Sequence, residues 1–489
     1  MKFPGWGWGA AGALITAISS LAADRPPNFV LLFADDLGWA DLAVQGASYP
    51  TPHLDRMAAE GTRFTSFYVA QAVCTASRAA LMSGCLPNRV GLEGALNHTS
   101  RTGIHPDELL LPELLRAHGY ATGIFGKWHL GTKPAFHPLR HGFDEFVGIP
   151  YSNDNTKYHP VLAAEMPPLP WYEGETVTET DPDQSQFTRR LTDAAVSFLT
   201  RHRDRPFFLY VPHVMPHVPI FASETFRGRS GAGLYADVVT ELDDSVGRIL
   251  DTVKDLGLEE TTWVVFLSDN GPFLSYGTHA GRAHPLREGK LTSFEGGVRV
   301  PCLMRWPGTI PAGRVCDEPL MATDFLPTFV RWLGATPPQR KIDGKDIQDV
   351  VTGRDGARSP HDALFFYSGR ELQAVRSGKW KLHFPHPYLT VTGEPGRDGK
   401  PSRVPNQKPI PITQSGIEGI ASRHGYGVGQ LELSLFDLEA DPGETKNLAA
   451  EYPDVVARLQ ALAGPIRAEL GDSLTGLEGP AIRPAGEAD

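Results

Sequence analysis

The chain is poor in cysteine, with four in 489 residues, at positions 74, 85, 302 and 316. That count excludes a disulfide-built scaffold. It leaves room for one pair, Cys302 with Cys316 across a short loop, and for a thiol with another task. A basic excess is also missing. The formal net charge is −11, which excludes a general nucleic-acid binder with its cationic face. It does not exclude a small anion held in a locally basic pocket. Long apolar runs are scarce. One stretch, Gly9 to Leu21, follows Lys2 and leads to Ala22 and Ala23. It predicts a secretory signal peptide over residues 1–23 and an exported protein, periplasmic or extracellular. The stretch is short for a membrane span and no later run reaches its length, so no stable span is expected. No cysteine follows it to carry a lipid. Internal repeats are absent as well.

What is present fits a soluble enzyme: 41% hydrophobic and 21% charged residues. The length exceeds one compact core and predicts one large and one smaller domain, 24–358 and 359–489. Asn28 to Phe33, Phe207 to Val211 and Trp263 to Leu267 are continuous apolar runs, as expected of strands buried on both faces of a parallel sheet. Ala121 to Phe125 is a shorter strand. A helix is predicted from Thr51 to Glu60, with Thr51 as cap, Pro52 in the first turn and Gly61 at the end. Others are expected from Ser77, over Leu110 to His118, Gln184 to His202, and Leu234 to Leu256. Strand and helix alternate to about residue 350. This predicts an α/β fold, a large mixed, mainly parallel sheet sandwiched by helices. The proline-rich segment at about 150–185 is expected as an irregular surface insertion. After Ser359, short strands near Ala363, Leu372, Trp380 and Leu433 predict a smaller C-terminal antiparallel sheet. A glycine- and proline-rich loop at 386–430 interrupts it, and a helix at 453–470 and a loose tail complete it.

Polar residues gather just past the carboxyl ends of the buried strands, where open parallel sheets place ligands. Asp35 and Asp36 end one strand, Asp269 and Asn270 another. Each pair alone is ordinary turn chemistry. Together, three carboxylates and an amide oxygen form a hard-oxygen site suited to Ca²⁺ or Mg²⁺ and poor for zinc. Arg78, Lys127, His129, His217 and Lys290 lie in comparable loops or at a helix start. With a cation they describe a pocket for a tetrahedral oxyanion, sulfate or phosphate. Cys74 and Cys85 both begin a Cys-x-(Ala/Pro)-x-Arg pentapeptide. A Cys-x5-Arg phosphatase loop from Cys74 would need arginine at 80, where the chain has Ala80.

Cys74-Thr-Ala-Ser-Arg78-Ala-Ala-Leu-Met-Ser-Gly84 resembles the signature of the formylglycine-dependent sulfatase family, within the alkaline phosphatase superfamily. Ala76 departs from the usual proline, a variant the family tolerates. Nothing after Arg89 continues the pattern from Cys85. Further similar blocks are Asn28 to Trp39, Gly126 to Gly131, His137 to Phe146, Ser268 to Gly271 and Gly289 to Arg299, so the resemblance covers nearly the whole chain. Gly148 to Ser152 and Leu433 to Leu448 lean towards the arylsulfatase A and N-acetylgalactosamine-6-sulfatase branch.

The resemblance implies an enzyme that hydrolyses sulfate monoesters, with a sulfated small molecule or glycan as partner. It implies oxidation of Cys74 to formylglycine by a maturation enzyme, and a bound divalent ion, Ca²⁺ or else Mg²⁺. Asp35, Asp36, Cys74, Asp269 and Asn270 would hold the ion. Arg78 and Lys127 would hold the formylglycine hydrate, with His129 assisting. Lys127, His217, Lys290 and Ser152 would contact the sulfate, His217 as acid for the leaving oxygen; His213 falls off the family position. A hydrate hydroxyl attacks sulfur in line, and its second hydroxyl lets the product leave by elimination, an exit that serine or cysteine lacks. Two other readings are a phosphate or phosphonate ester hydrolase of the same superfamily and a non-catalytic binder of sulfated glycans.

Overall fold

The computed structural model describes residues 1–2, 26–414 and 416–488; the expected signal peptide lies almost wholly outside them. Its centre is an eleven-stranded sheet. In spatial order the strands are Arg314–Cys316, Thr62–Tyr68, Arg299–Arg305, Thr262–Ser268, Asn28–Ala34, Phe207–Pro212, Ala121–Lys127, Glu145–Ile149, Pro170–Glu173 and Thr176–Thr180, with Leu320–Met321 also pairing with Thr62–Tyr68. The five from Thr262–Ser268 to Glu145–Ile149 run parallel. Their carboxyl ends therefore share one edge, with Ala34 opposite Ser268, Phe33 opposite Pro212 and Lys127 opposite Ile149. The fold is the predicted mixed, mainly parallel sheet flanked by helices.

The Asn28–Ala34 strand explains the layering. Side chains alternate faces along a strand. Phe29, Leu31 and Phe33 enter one hydrophobic layer with Leu81, Met82, Phe325 and Phe329. Val30, Leu32 and Ala34 enter the other with Leu54, Met57, Phe198, Leu242 and Ile249. All six are fully buried, each large one contributing about 1.5–3 kcal/mol. A run with both faces apolar is what such a sandwich requires.

A four-stranded antiparallel sheet, Leu364–Ser368, Glu371–Ser377, Trp380–His383 and Ser434–Asp437, follows as expected. The Pro453–Leu470 helix covers it, and Val456, Leu459 and Ile466 join Leu372, Val375 and Leu382 in one cluster. Several expectations are corrected. The 150–185 insertion carries the Pro170–Glu173 and Thr176–Thr180 hairpin, which extends the main sheet. The 386–430 segment holds the His386–Thr390 and Gly427–Leu431 hairpin and the Ile417–His424 helix. The tail pairs through Gly486–Glu487 with Thr102–Gly103. The helix expected from Ser77 spans Cys74–Ser83, so Cys74 opens it and Arg78 lies one turn in.

Cys302 and Cys316 are unpaired. Both are registered with Phe64, from opposite sides of the Thr62–Tyr68 strand. Two interstrand spacings part them by roughly 10 Å, beyond disulfide reach.

Candidate active site

The shared strand edge brings the predicted residues together. Asp35 and Asp36 leave the Asn28–Ala34 strand, and Asp36 turns back with a positive φ of 65°. Its N–H donates to Asp269 Oδ1 at 3.1 Å, and Asp269 N–H donates to the Ala34 carbonyl at 3.0 Å. The two acidic turns thus lock each other. Lys127, still within its strand, places Nζ 2.6 Å from Asp35 Oδ2. Arg78 reaches back from the helix to Asp269 Oδ2 at 2.8 Å and donates to the Lys127 carbonyl at 2.8 Å. Lys290 Nζ lies 2.7 Å from Asp36 Oδ1 and 3.4 Å from Cys74 Sγ. Cys74 Sγ is 3.7 Å from Asp35 Oδ1.

The protonation states follow from this crowding. Burial disfavours the Asp35 charge, but Lys127, His217 and Arg78 outweigh it and hold the carboxyl well below its usual range. Burial, reinforced by the Asp35 charge, pushes Asp269 up to about 7. Burial opposes the Lys290 charge too, yet Asp36 and its neighbours raise the ammonium well above its ordinary value. Burial pushes the Cys74 thiol up to about 12. His129 donates Nε2–H to the Leu96 carbonyl at 2.7 Å, leaving Nδ1 as a lone pair without a partner among the described residues. Burial, then Lys127 and Arg78, keep that ring neutral. His217 Nδ1–H faces the Val218 carbonyl, so its Nε2 is the exchangeable position, 3.5 Å from Ser152 Oγ and 3.6 Å from Asp36 Oδ2.

The residues suit a hard divalent cation. Ligand atoms of Asp35, Asp36, Cys74 and His217 lie within 4.8 Å of one another. Beside them Asn270 donates Nδ2–H to Asp36 Oδ1 at 2.7 Å, while its Oδ1 is buried without a partner among the described residues. A buried acceptor left unpaired is costly unless a cation or donor meets it. Three carboxylates face three fixed cations here, Arg78, Lys127 and Lys290, so a dication would leave the site positive towards an anionic ester. Asp269 has both oxygens engaged, by Arg78 and the Asp36 N–H, and Asp35 and Asp36 likewise face Lys127, Lys290 and Asn270.

A cavity of about 450 Å³ opens above this cluster. Cys74, His129, Ser152, His217 and Lys290 reach its wall; Asp35, Asp36, Arg78, Lys127, Asp269 and Asn270 pack behind them. His213 is buried with both ring nitrogens unpartnered among the described residues and does not line it. The sequence reading missed Asp154, His159 and His424, which also line the wall. They come from segments read as irregular, and no local spacing announces them. Asn155 Nδ2–H donates to Asp154 Oδ1 at 2.9 Å.

Three family models match the chain: "Sulfatase" over residues 27–335, "C-terminal region of aryl-sulfatase" over 359–477, and "N-sulphoglucosamine sulphohydrolase, C-terminal" over 289–382. Bovine (Bos taurus) arylsulfatase A is 40% identical over 91% of this chain and 88% of its own. N-acetylgalactosamine-6-sulfatase from Mus musculus is 41% identical over 92% and 88%. Among solved structures, the PsFucS1 sulfatase from Pseudoalteromonas sp. superposes with a TM-score of 0.78 at 26% identity, covering 94% of this chain and 92% of that one. With a family model spanning more than half of its length and relatives near 40% identity along nearly all of it, the chain belongs to the sulfatase family and is a sulfuric ester hydrolase.

Proposed function

We propose that the chain hydrolyses sulfate monoesters of carbohydrates, using a formylglycine made from Cys74 and a divalent cation, calcium, at Asp35, Asp36, Asp269 and Asn270. One observation carries this reading: Cys74 meets the cavity between Lys290 and Asp35, yet burial pushes its thiol up to about 12. So little thiolate at neutral pH makes cysteine itself a poor nucleophile. The two groups supply, when in place, a hydroxyl nucleophile and a Lewis acid for the sulfate oxygens.

The chain's own side chains do the rest. Lys290 and His217 bind sulfate oxygens from the cavity side. Arg78 and Lys127 neutralise Asp269 and Asp35 and fix position 74. His129 Nδ1 accepts a hydrogen bond from the nucleophile, and His217 Nε2 delivers a proton to the departing oxygen. The site residues sit at 0–5% exposure, so each charge acts in a low dielectric.

Asp154, Glu93 and Arg370 in the wall offer acceptors and donors to the hydroxyls of a sugar. The name of the murine relative, N-acetylgalactosamine-6-sulfatase, supports the same class. Cys74 is only 2% exposed, so the modifying enzyme is a partner of the unfolded chain, before or during export directed by residues 1–23. Among the described residues no helix is long and apolar enough to cross a membrane. Residues 24–358 form the catalytic unit, and 359–489 a subdomain that contributes cavity wall.

The test is peptide mass together with turnover, on protein made with its modifying system. Trypsin separates Phe64–Arg78 from Ala79–Arg89, so Cys74 and Cys85 report independently. An aldehyde on the first peptide alone, with release of sulfate from a hexosamine sulfate, is expected. An intact Cys74 thiol in protein that turns over would overturn the mechanism.

A further inference from the structure

Behind the cavity wall lies a second buried polar cluster that the reaction does not use. It joins two segments that line the cavity, Lys290 to Thr292 and Pro387 to Leu389. Glu444 Oε2 accepts the backbone N–H of Glu295 at 2.6 Å, five residues after Lys290. Its Oε1 lies 2.8 Å from His383 Nε2. His383 Nδ1 lies 3.1 Å from His386 Nε2. His386 Nδ1 lies 3.0 Å from the Pro387 carbonyl oxygen. Glu444, His383 and His386 are at most 2% exposed, so water cannot supply a missing proton to these contacts.

Counting protons fixes the state of this chain. The Pro387 carbonyl only accepts, so His386 Nδ1 carries a hydrogen. One more must lie between the two rings, and one between His383 and Glu444. A neutral acid with two neutral imidazoles supplies all three. So does an ionised acid with one imidazolium. An ionised Glu444 with two neutral imidazoles is one short, and two lone pairs then face each other at 2.8 or 3.1 Å, which buried polar contacts do not tolerate cheaply.

We propose that Glu444, His383 and His386 are positioning residues sharing one exchangeable proton, and that this proton holds the Pro387–Leu389 wall in register with the Lys290 segment. Groups from every neighbouring element face the trio. Lys381 lies 3.2 Å from Glu444 Oε1 and 2.9 Å from Glu295 Oε1. Arg287 donates to the Glu444 carbonyl at 3.0 Å and to Tyr388 Oη at 3.2 Å. Glu295 is held by Tyr68 and Arg299, and Arg376 donates to Tyr68. Burial pushes the Glu444 carboxyl up to about 7, and lowers both histidines, His386 to about 4. The proton therefore resides on Glu444. A raised carboxyl pKa stabilises the fold fully below its unfolded value near 4.5 and loses that contribution as pH rises through about 7.

Glu444→Gln imitates the protonated acid permanently, donating to His383 and accepting from Glu295. The kinetic readout rests on the sulfatase activity; thermal midpoints do not. For 4-nitrophenyl sulfate, the ratio of wild-type to variant KM is expected to grow about 5-fold from roughly pH 6 to 8, with the kcat ratio steady. The wild-type midpoint should fall relative to the variant over the same range. Ratios and midpoint differences independent of pH would overturn the proposal. If Glu444→Gln does not fold, His386→Phe decides: it should lack the pH step in KM, and a wild-type step would overturn the proposal. If no ester is turned over, the proposed function fails while the midpoints still test the shared proton.

Discussion

Lys290 is where three parts of the site meet: Asp36, Cys74 and, 4.6 Å from its Nζ, the face of the Phe273 ring. Removing its ammonium leaves Asp36 without its nearest cation and, on the proposed function, the cavity without a sulfate contact. Lys290→Ala should lower kcat/KM about 10²–10³-fold while the circular dichroism spectrum stays that of wild type; a loss below 10-fold would place the sulfate elsewhere. The partnerless Asn270 Oδ1 gives a second expectation. A calcium chelator should abolish activity and lower the thermal midpoint, and calcium at about 100 times its Kd should restore about 2.7 kcal/mol of stability. An unmoved midpoint would remove the cation from this site. At this scale the sequence was readable where chemistry and strand ends coincide. Asp35-Asp36, Asp269-Asn270 and Lys127 follow apolar runs whose parallel pairing could be inferred. Asp154 and His424 could not be read this way, because 270 residues separate them and only tertiary packing makes them neighbours.

At the scale of elements, Gly126 shows how the backbone sets Lys127. Its φ is 148°, and a Cβ there would lie 1.9 Å from the Pro212 carbonyl oxygen of the adjacent strand. Gly148 repeats the device one strand over, its Cβ meeting the Gly126 carbonyl oxygen at 1.9 Å. Gly126→Ala must therefore push strands apart beside Lys127 and the Asp35 contact. The expected result is loss of soluble protein, or activity reduced at least 10²-fold, since a misplacement of about 1 Å costs that much. Gly174→Ala, at a turn where a Cβ meets nothing within 4 Å, should stay soluble and active despite its positive φ. Equal outcomes would reject close packing as the reason. The helix from Pro52 to Glu60 was legible from its Pro and Gly punctuation. The Pro170–Glu173 and Thr176–Thr180 hairpin was not. Prolines around it signal a loop, and Thr176–Thr180 is exposed along its whole length, so it lacks the apolar alternation by which a strand is recognised.

Across the whole molecule, the C-terminal region and the main sheet are joined by buried charge as well as by apolar packing. Arg89, just past the Cys74 helix, donates through Nε and Nη2 to Asp343 at 2.8 and 2.6 Å and through Nη1 to Glu469 at 2.8 Å. Glu469 belongs to the Pro453–Leu470 helix, and the Arg89 carbonyl accepts the N–H of Arg483 in the tail at 2.8 Å. This is why the tail, which offers no local signal of structure, returns to the catalytic side. Arg89 is 1% exposed, so Arg89→Ala leaves carboxylates uncompensated in a site already dehydrated. Among the described residues Asp343 keeps only the Leu86 N–H at 2.8 Å beyond Arg89, whereas Glu469 keeps Lys341 at 2.6 Å. The loss should be about 3 kcal/mol, the lower end for a broken buried pair, seen as a lowered urea midpoint. Arg331 also bridges two carboxylates, Asp346 and Asp349, but its side chain is 44% exposed, and Arg331→Ala should cost no more than about 1 kcal/mol. If the two variants unfold at the same midpoint, the Arg89 junction does not hold the C-terminal region in place, and apolar burial of Val456, Leu459 and Ile466 does so alone.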